Sequence, residues 1–175
     1  MPRPRPTIFT IGHSTHPFDE LVEMLKTHGV KILVDVRSIP RSWHTPQFNA
    51  DQLARKLPRL GIKYMPCKEL GGRRRAKKDS VNVGWRNASF RGYADYMQTR
   101  EFRSALKELM QTARREPAAI MCAEAVPWRC HRSLIGDALL VRRWRVLDIM
   151  SPTSAREHKL TPFAKVNGTT ITYPC

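Results

Sequence analysis

Short apolar runs alternate along this chain with segments in which apolar residues recur at helical spacing. Residues 7–12 and 31–37 are rich in β-branched residues, and the second run is almost continuously apolar. Runs of that kind are typical of parallel strands whose two faces are both covered. Shorter strands are predicted at residues 62–65, 118–121 and 146–149, with a candidate final strand over 169–173.

Helices are predicted between these strands. Residues 14–17 open the first helix and Gly29 ends it, because Phe18, Leu21 and Leu25 fall at helical spacing. Pro58 is expected to distort the last turn of the second helix. The remaining helical predictions are residues 49–60 for that second helix, a turn at 93–97, a longer helix marked by Phe102, Leu106, Leu109 and Ala113, and a helix over 133–143.

The alternation of strands and helices predicts an α/β fold. We expect a single three-layer, Rossmann-like domain over residues 7–175, with a mostly parallel sheet of about five strands flanked by helices. Residues 1–6 are predicted to form an extended basic arm. A long, basic and irregular loop is predicted at about 67–92, and a loop of that length is usually functional or disordered. The order of the strands does not follow from the sequence.

Positive charge is the strongest global signal. The chain has 31 Lys and Arg against 15 Asp and Glu, which gives a formal net charge of +16. Such an excess attracts polyanions, so nucleic acid or another phosphate-bearing molecule is a candidate partner. The alternative is a solvated basic surface that only keeps the protein dispersed.

Hydropathy and cysteine content bear on the compartment. No apolar run approaches the ~20 residues of a membrane-spanning helix, and residues 1–6 do not resemble a secretory signal, so we expect a cytoplasmic protein without a membrane segment. In that reducing setting disulfides are not expected among the four cysteines, Cys67, Cys122, Cys130 and Cys175. Cys122 and Cys130 are nevertheless near enough in sequence to pair under oxidation.

Reactive side chains follow three of the predicted strands. Ligands bind outside the carboxyl ends of the strands in open α/β sheets, and parallel strands place those ends at one edge. We therefore expect one cleft there. Its candidate catalytic residues are Cys122, His131, His13, Glu124 and Asp35, and its candidate anion ligands are Arg37, Arg132 and Ser14.

Each of these residues also has a structural interpretation. His13 or Ser14 could cap the first helix. Asp35 and Arg37 could form a structural ion pair, because alternate residues of a strand share a face. Cys122 could be an inert buried thiol. Their convergence on predicted strand ends is what favours a site.

The segment from Cys122 to Arg132 admits two kinds of chemistry. Cys122, Cys130 and His131, together with Glu124, are ligand types for zinc or iron, but the segment has no C-x-x-C pair and its spacing fits such a site poorly. The second interpretation is a nucleophilic Cys122 on a strand-loop-helix turn, as in rhodaneses and cysteine phosphatases. Pro127 and Trp128 depart from the small, glycine-rich loop of those enzymes.

The basic loop contains the densest positive run. Residues 71–78 read GGRRRAKK, and Trp85, Phe90 and Tyr96 follow. Arg73, Arg74 and Arg75 are candidate phosphate ligands, and two consecutive glycines let the backbone approach an anion. The alternative is that the charges are solvated and the aromatic side chains belong to the core.

Five segments together resemble the family catalogued as domain of unknown function 488. They are residues 10–14 (TIGHS), 33–40 (LVDVRSIP), 70–72 (LGG), 92–97 (GYADYM) and 121–132, which includes MCAE and CHR. The resemblance extends over about residues 8–150. It implies one small α/β domain and no established reaction.

Two functions are left open by the sequence. The first is an enzyme with a Cys/His/Arg site at the carboxyl edge of the sheet, acting on a phosphate-bearing or nucleic-acid-linked substrate. In it Cys122 is a nucleophile or ligand, His13 or His131 carries the proton, and Arg37 and Arg132 hold the anion. The second is a non-catalytic nucleic-acid-binding domain.

Overall fold

The structure is a computed structural model and describes residues 2–175. Within these residues six strands form the main sheet, in the order β3-β2-β4-β1-β5-β6. The first five strands are parallel, and β6 runs antiparallel to β5. The six strands are β1 (Thr7–Gly12), β2 (Ile32–Asp35), β3 (Lys63–Pro66), β4 (Ala118–Cys122), β5 (Arg145–Ser151) and β6 (Ser154–Glu157).

Helices cover both faces of this sheet. They are α1 (Phe18–Thr27), α2 (Ala50–Lys56), α3 (Ala88–Tyr96), α4 (Arg100–Arg115) and α5 (Arg132–Leu140). One core cluster packs α1 and α2 against one face, and a second packs α3, α4 and α5 against the other. The alternation of strand side chains divides β2 between them, with Leu33 in the first cluster and Ile32 and Val34 in the second. The predicted three-layer α/β fold with a mostly parallel sheet is confirmed.

Two strand predictions were incomplete. The sheet has six strands instead of about five, and the hairpin β7 (Lys165–Asn167) and β8 (Thr170–Thr172) lies apart from it. The sequence did not indicate β6 or β7, because both are short, exposed and largely polar. Such edge strands are held by backbone pairing, which leaves no apolar signal.

Two helix starts also differ from the predictions. The first helix begins at Phe18, and Pro17 occupies its N-cap position. Ser14 therefore is not the helix cap, and its backbone lies in the left-handed region with a φ of 45°. α3 begins at Ala88, inside the predicted loop, because the Asn87 side chain accepts hydrogen bonds from two backbone N–H groups of its first turn.

Specific contacts hold the basic loop against α3. The buried Asp95 carboxylate accepts hydrogen bonds from the Lys77 backbone N–H (2.9 Å), the Ser80 hydroxyl (2.6 Å) and the Asn82 amide (2.8 Å). The Arg74 guanidinium lies 3.6 Å from the centre of the Tyr96 ring. The loop is therefore a folded part of the domain.

Strand order fixes what meets at the carboxyl edge. β4 lies between β1 and β2, with Gly12 opposite Cys122 and Asp35 opposite Met121. Beyond the strands, the His13 and Ser14 N–H groups donate to the carbonyls of Cys122 and Ala123 at 3.0 and 2.9 Å. The ends of three strands thus reach the same edge, as the parallel pattern predicted.

Candidate active site at the carboxyl edge of the sheet

A cleft of about 270 Å³ opens at this edge, and we name it the thiol cleft. It brings together residues from the ends of β2 and β4, the basic loop and the start of α5. The titratable side chains that line it are those of Arg37, Arg73, Cys122, Glu124, Arg129, Cys130 and His131. Five of the predicted site residues, Arg37, Arg73, Cys122, Glu124 and His131, therefore line one cleft.

The sulfur atoms of Cys122 and Cys130 meet in the thiol cleft, with the two Cα atoms 7.2 Å apart. The two thiols are therefore placed to pair under oxidation, as their separation in the sequence allows. The reason is local: Cys122 ends β4, and the Pro127–Arg129 turn folds the chain back so that Cys130 returns to the strand end. Cys67 and Cys175 are free, and burial raises the pKa of Cys67 to about 11.

Cys130 has the polar surroundings that the sequence analysis assigned to Cys122. The Arg132 backbone N–H, at the start of α5, donates to Cys130 Sγ at 3.5 Å. His131 Nδ1 lies 3.5 Å from the same sulfur. Cys122 Sγ instead faces the Glu124 backbone carbonyl at 3.7 Å. Since N–H groups at helix starts stabilise thiolates, Cys130 is the better candidate for the reactive thiol.

The tautomer of His131 follows from its second contact. His131 Nε2 lies 2.9 Å from the Val36 carbonyl, which only accepts, so Nε2 carries the hydrogen and Nδ1 offers a lone pair towards Cys130. Burial lowers the pKa of His131 to about 4, which keeps the ring neutral at pH 7. The His131 ring packs against the backbone of Gly72. The space beside this glycine, where the sequence suggested an anion, is therefore filled by a histidine side chain.

His13, Asp35 and Arg37 form a buried network, of which Arg37 also lines the cleft. Arg37 donates to both Asp35 carboxylate oxygens, at 2.8 and 2.6 Å, and to the Phe48 carbonyl at 2.7 Å. Tyr64 donates to the same carboxylate at 2.6 Å. Because Asp35 neutralises the guanidinium, the structural ion pair describes Arg37 better than a free anion ligand does.

His13 completes this network as a neutral ring. Its Nδ1 lies 2.9 Å from the Ser14 carbonyl, its Nε2 lies 3.2 Å from Arg37 Nη1, and the ring stacks on Phe48. Burial is the main cause that lowers the pKa of His13 to about 4. His13 does not line the thiol cleft, so its contacts favour a positioning role for the edge.

Arg132 is a core residue and not an anion ligand of the cleft. It has no exposed surface. Its guanidinium donates to the Thr10 hydroxyl at 3.0 Å and to the carbonyls of Glu124 and Ala125 at 3.1 and 3.0 Å. Burial lowers the pKa of Arg132 to about 10, which still leaves it charged at pH 7. Its role is to tie the segment after β4 to β1.

The three arginines of the basic loop also differ in role, because one makes structural contacts and two have exposed side chains. Arg74 donates to the carbonyls of Lys68, Glu69 and Gly71, so its contacts are those of a structural residue. Arg73 lines the cleft with an exposed side chain, and Arg75 is exposed on the loop. Arg129 lines the cleft as well, and its side chain is exposed.

Metal binding receives no geometric support. Within residues 2–175 no group of three or more His, Cys, Asp and Glu side chains is arranged to hold a metal ion. The donors proposed from the sequence, Cys122, Cys130 and His131, are engaged with one another and with the Val36 carbonyl.

Cys130 was predicted only as a metal ligand, and Arg129 and Tyr64 were not among the predicted site residues. Cys130 stands immediately before a helix start, and that position was the available signal, because the N–H groups there are free to donate. Arg129 could have been chosen by its place beside Cys130. Nothing in the sequence pairs Tyr64 with Asp35.

The fold and this cleft describe an α/β domain with a cysteine and histidine site at the carboxyl edge of a parallel sheet. The sequence pattern of the family described as Domain of unknown function DUF488 matches residues 17–139, and the chain belongs to that family. No curated protein and no solved structure matches the chain. Among the helices that the structure describes, none is long and apolar enough to cross a membrane.

The structural role of Arg132 can be tested by Arg132→Met. We expect the free energy of unfolding to fall by about 3 kcal/mol, because the Thr10 hydroxyl, two carbonyls and nearby Asp148 lose their buried cationic partner. Chemical denaturation measures the change. The control Arg129→Met alters an exposed arginine and should stay within about 0.5 kcal/mol of the parent. Equal stability of the two variants would contradict the assignment.

The two neutral histidines predict how stability depends on pH. Their folded pKa of about 4 lies below the ordinary value of 6.5, so the unfolded chain binds protons first as the pH falls. Stability should therefore be complete above about pH 6.5 and decline towards pH 4, by at most roughly 3 kcal/mol per histidine.

Substitution identifies the residues responsible. His13→Gln and His131→Gln should each flatten this decline in urea titrations between pH 7 and 4, whereas His44→Gln, on an exposed loop, should leave it unchanged. An unaltered slope in both buried variants would refute the assignment.

Proposed function

We propose that the thiol cleft is the active site of a thiol-dependent enzyme that acts on a phosphate-bearing or nucleic-acid-linked substrate. The observation that supports this most is the environment of Cys130, whose sulfur faces both the N–H at the start of α5 and the lone pair of His131. In the reduced protein Cys130 is the nucleophile. As the bond from sulfur to the substrate forms, the bond to the leaving group breaks, and His131 takes up the thiol proton and passes it to that group.

The charges around the cleft favour an anionic substrate. Arg73 and Arg129 line it with exposed side chains, and Arg37, which also lines it, is already neutralised by Asp35. Glu124 is the acidic group of the same cleft, so two exposed guanidinium groups meet one exposed carboxylate. This balance suits a phosphate group better than a neutral or cationic one.

Cys122 has a different role in this proposal. Its sulfur meets that of Cys130, so oxidation of the pair to a disulfide would block the nucleophile. Activity requires the reduced pair, which is the ordinary state of thiols in the cytoplasm, the location that we propose for this protein. His13, Asp35 and Arg37 support the edge without contacting the substrate.

Thiol labelling at pH 7 tests the nucleophile. In protein reduced with a phosphine, Cys130 should react with iodoacetamide at least about tenfold faster than the exposed Cys175, because thiolate reacts and thiol does not. Peptide mass spectrometry reports the rate at each cysteine. His131→Gln should slow Cys130, and the exposed-loop control His44→Gln should not. Millimolar inorganic phosphate should also slow it by occupying the cleft.

Two results would end this proposal. One is a Cys130 rate no greater than that of Cys175. The other is faster labelling of Cys122 than of Cys130 in protein whose cysteines are fully reduced, since that would return the nucleophile to the strand end.

A non-catalytic nucleic-acid-binding function is the second candidate. The exposed side chains of Arg73, Arg75, Lys77 and Lys78 form no ion pair within residues 2–175. Trp43, in the loop after β2, is 97% exposed, and an exposed indole can stack on a base. These features support binding of a single strand without requiring a reaction.

Salt dependence tests this second candidate. Binding of a single-stranded oligonucleotide should weaken steeply with salt, and Arg73→Gln with Arg75→Gln should lower the slope of log K against log salt by roughly 1 to 2. The matched control is Arg59→Gln with Arg115→Gln, two exposed arginines that precede β3 and β4 and so lie towards the opposite edge. Affinity that is flat in salt, or equal slopes for the two double variants, would reject the basic loop as the binding surface.

A further inference from the structure

A second cleft lies on the other side of the Pro127–Arg129 turn. It encloses about 610 Å³, and Trp128 lines it, whereas Arg129 and Cys130 line the thiol cleft. We name it the tryptophan cleft. No residue given a role in the thiol cleft lines it, so its chemistry has to be considered by itself.

The floor of the tryptophan cleft contains an unpaired carboxylate oxygen. Asp148, in the middle of β5, is only 5% exposed. Its Oδ1 accepts a hydrogen bond from the Thr10 hydroxyl at 2.5 Å. Its Oδ2 accepts none from residues 2–175 and lies 3.8 Å from His158 Nδ1, too far for a hydrogen bond. Since Asp148 lines the cleft, this oxygen is open to an occupant, and a ligand in the cleft can supply the donor that the protein does not.

His158 presents a second acceptor beside it. Its Nε2 lies 2.9 Å from Asp137 Oδ1, and the same carboxylate also accepts from Tyr173 at 2.8 Å. Since a carboxylate only accepts, Nε2 carries the hydrogen, and in the neutral form of the ring Nδ1 holds a lone pair. Asp148 Oδ2 and His158 Nδ1 are therefore two acceptors separated by 3.8 Å. A single amino group, with two N–H bonds in one plane, can donate to both.

The walls of the cleft suit a flat aromatic ring with a negatively charged group attached to it. Trp128 is 56% exposed and offers a large aromatic face. Phe163 lines the same space, and the Arg156 guanidinium lies 5.7 Å from the centre of the Trp128 ring. Arg156 and Lys159 are exposed and line the cleft. Aromatic walls bind bases by stacking, and neighbouring cations bind phosphate.

We propose that the tryptophan cleft binds a nucleotide whose base carries an exocyclic amino group. The base stacks on Trp128, its amino group donates to Asp148 Oδ2 and His158 Nδ1, and its phosphate is held by Arg156 and Lys159. The site is independent of the thiol chemistry and needs no reduced cysteine. A free nucleotide and one nucleotide of a single strand share this chemistry.

Paired ligands test the amino group directly. Isothermal titration of the full chain with adenosine 5′-monophosphate (AMP) should give saturable binding. Inosine 5′-monophosphate, which has an oxo group in place of the amino group, should bind at least tenfold more weakly, because it leaves both acceptors unpaired. Equal affinities for the two nucleotides would overturn the proposal.

Substitutions of exposed residues test which side chains form the walls of the tryptophan cleft, and they should not disturb the fold. Trp128→Ala should weaken AMP binding at least tenfold, whereas Leu60→Ala, which removes an exposed apolar side chain from the turn before β3, should leave it within twofold. Arg156→Gln with Lys159→Gln should weaken AMP more than adenosine. Equal effects of Trp128→Ala and Leu60→Ala would overturn the assignment.

A single-stranded oligonucleotide distinguishes a free nucleotide from a nucleotide within a strand as the ligand. A short single-stranded oligoadenylate that binds more tightly than AMP, with the same loss in Trp128→Ala, supports a nucleic-acid strand as the ligand. Oligoadenylate binding no tighter than AMP binding supports the free nucleotide. Oligoadenylate binding that ignores Trp128, with no binding of AMP, would overturn the site and leave the basic loop as the contact surface. Repeating the titrations with Cys130→Ser separates this result from the fate of the thiol proposal, because the tryptophan cleft should bind equally in that variant.

Discussion

The arrangement of the carboxyl edge of the sheet depends on one constraint, the placement of β4 between β1 and β2. Parallel pairing in this order sets Gly12 opposite Cys122 and Asp35 opposite Met121. The segment that follows Cys122 then has to pass directly over Gly12, where a side chain would collide with the Glu124 carbonyl. The buried Arg132 secures this crossing by binding the Glu124 and Ala125 carbonyls. The thiol cleft exists because the chain after β4 is held in that position.

Much of the fold could be predicted because it rests on local patterns. Apolar runs identified the parallel strands, helical spacing identified four of the five helices in the described residues, and the known binding edge of such sheets indicated where reactive groups would meet. Arg37, Cys122, Glu124 and His131 do line one cleft with Arg73. A resemblance carried by five short segments pointed to the same family that the comparison identified.

The rest depended on distances that sequence does not encode. Arg132 and Arg73 look alike in a sequence, but one has no exposed surface and the other lines the cleft. The different surroundings of Cys122 and Cys130 follow from where the Pro127–Arg129 turn directs the chain, and Ser14 does not cap α1 because its backbone lies in a left-handed turn before the helix. Asp148 and His158 were not singled out at all, because they are far from any motif and meet only when β6 folds back beside β5.

The short turn between the two clefts borders both of them. Its backbone is closed by hydrogen bonds from the Arg129 N–H to the Val126 carbonyl (3.2 Å) and from the Cys130 N–H to the Pro127 carbonyl (3.1 Å), so one closed turn supplies a wall residue to each cleft. Thermodynamic linkage sets the rule for any heterotropic coupling through such a turn: an effect of one occupant on the affinity of the other is matched by an equal effect in the reverse direction.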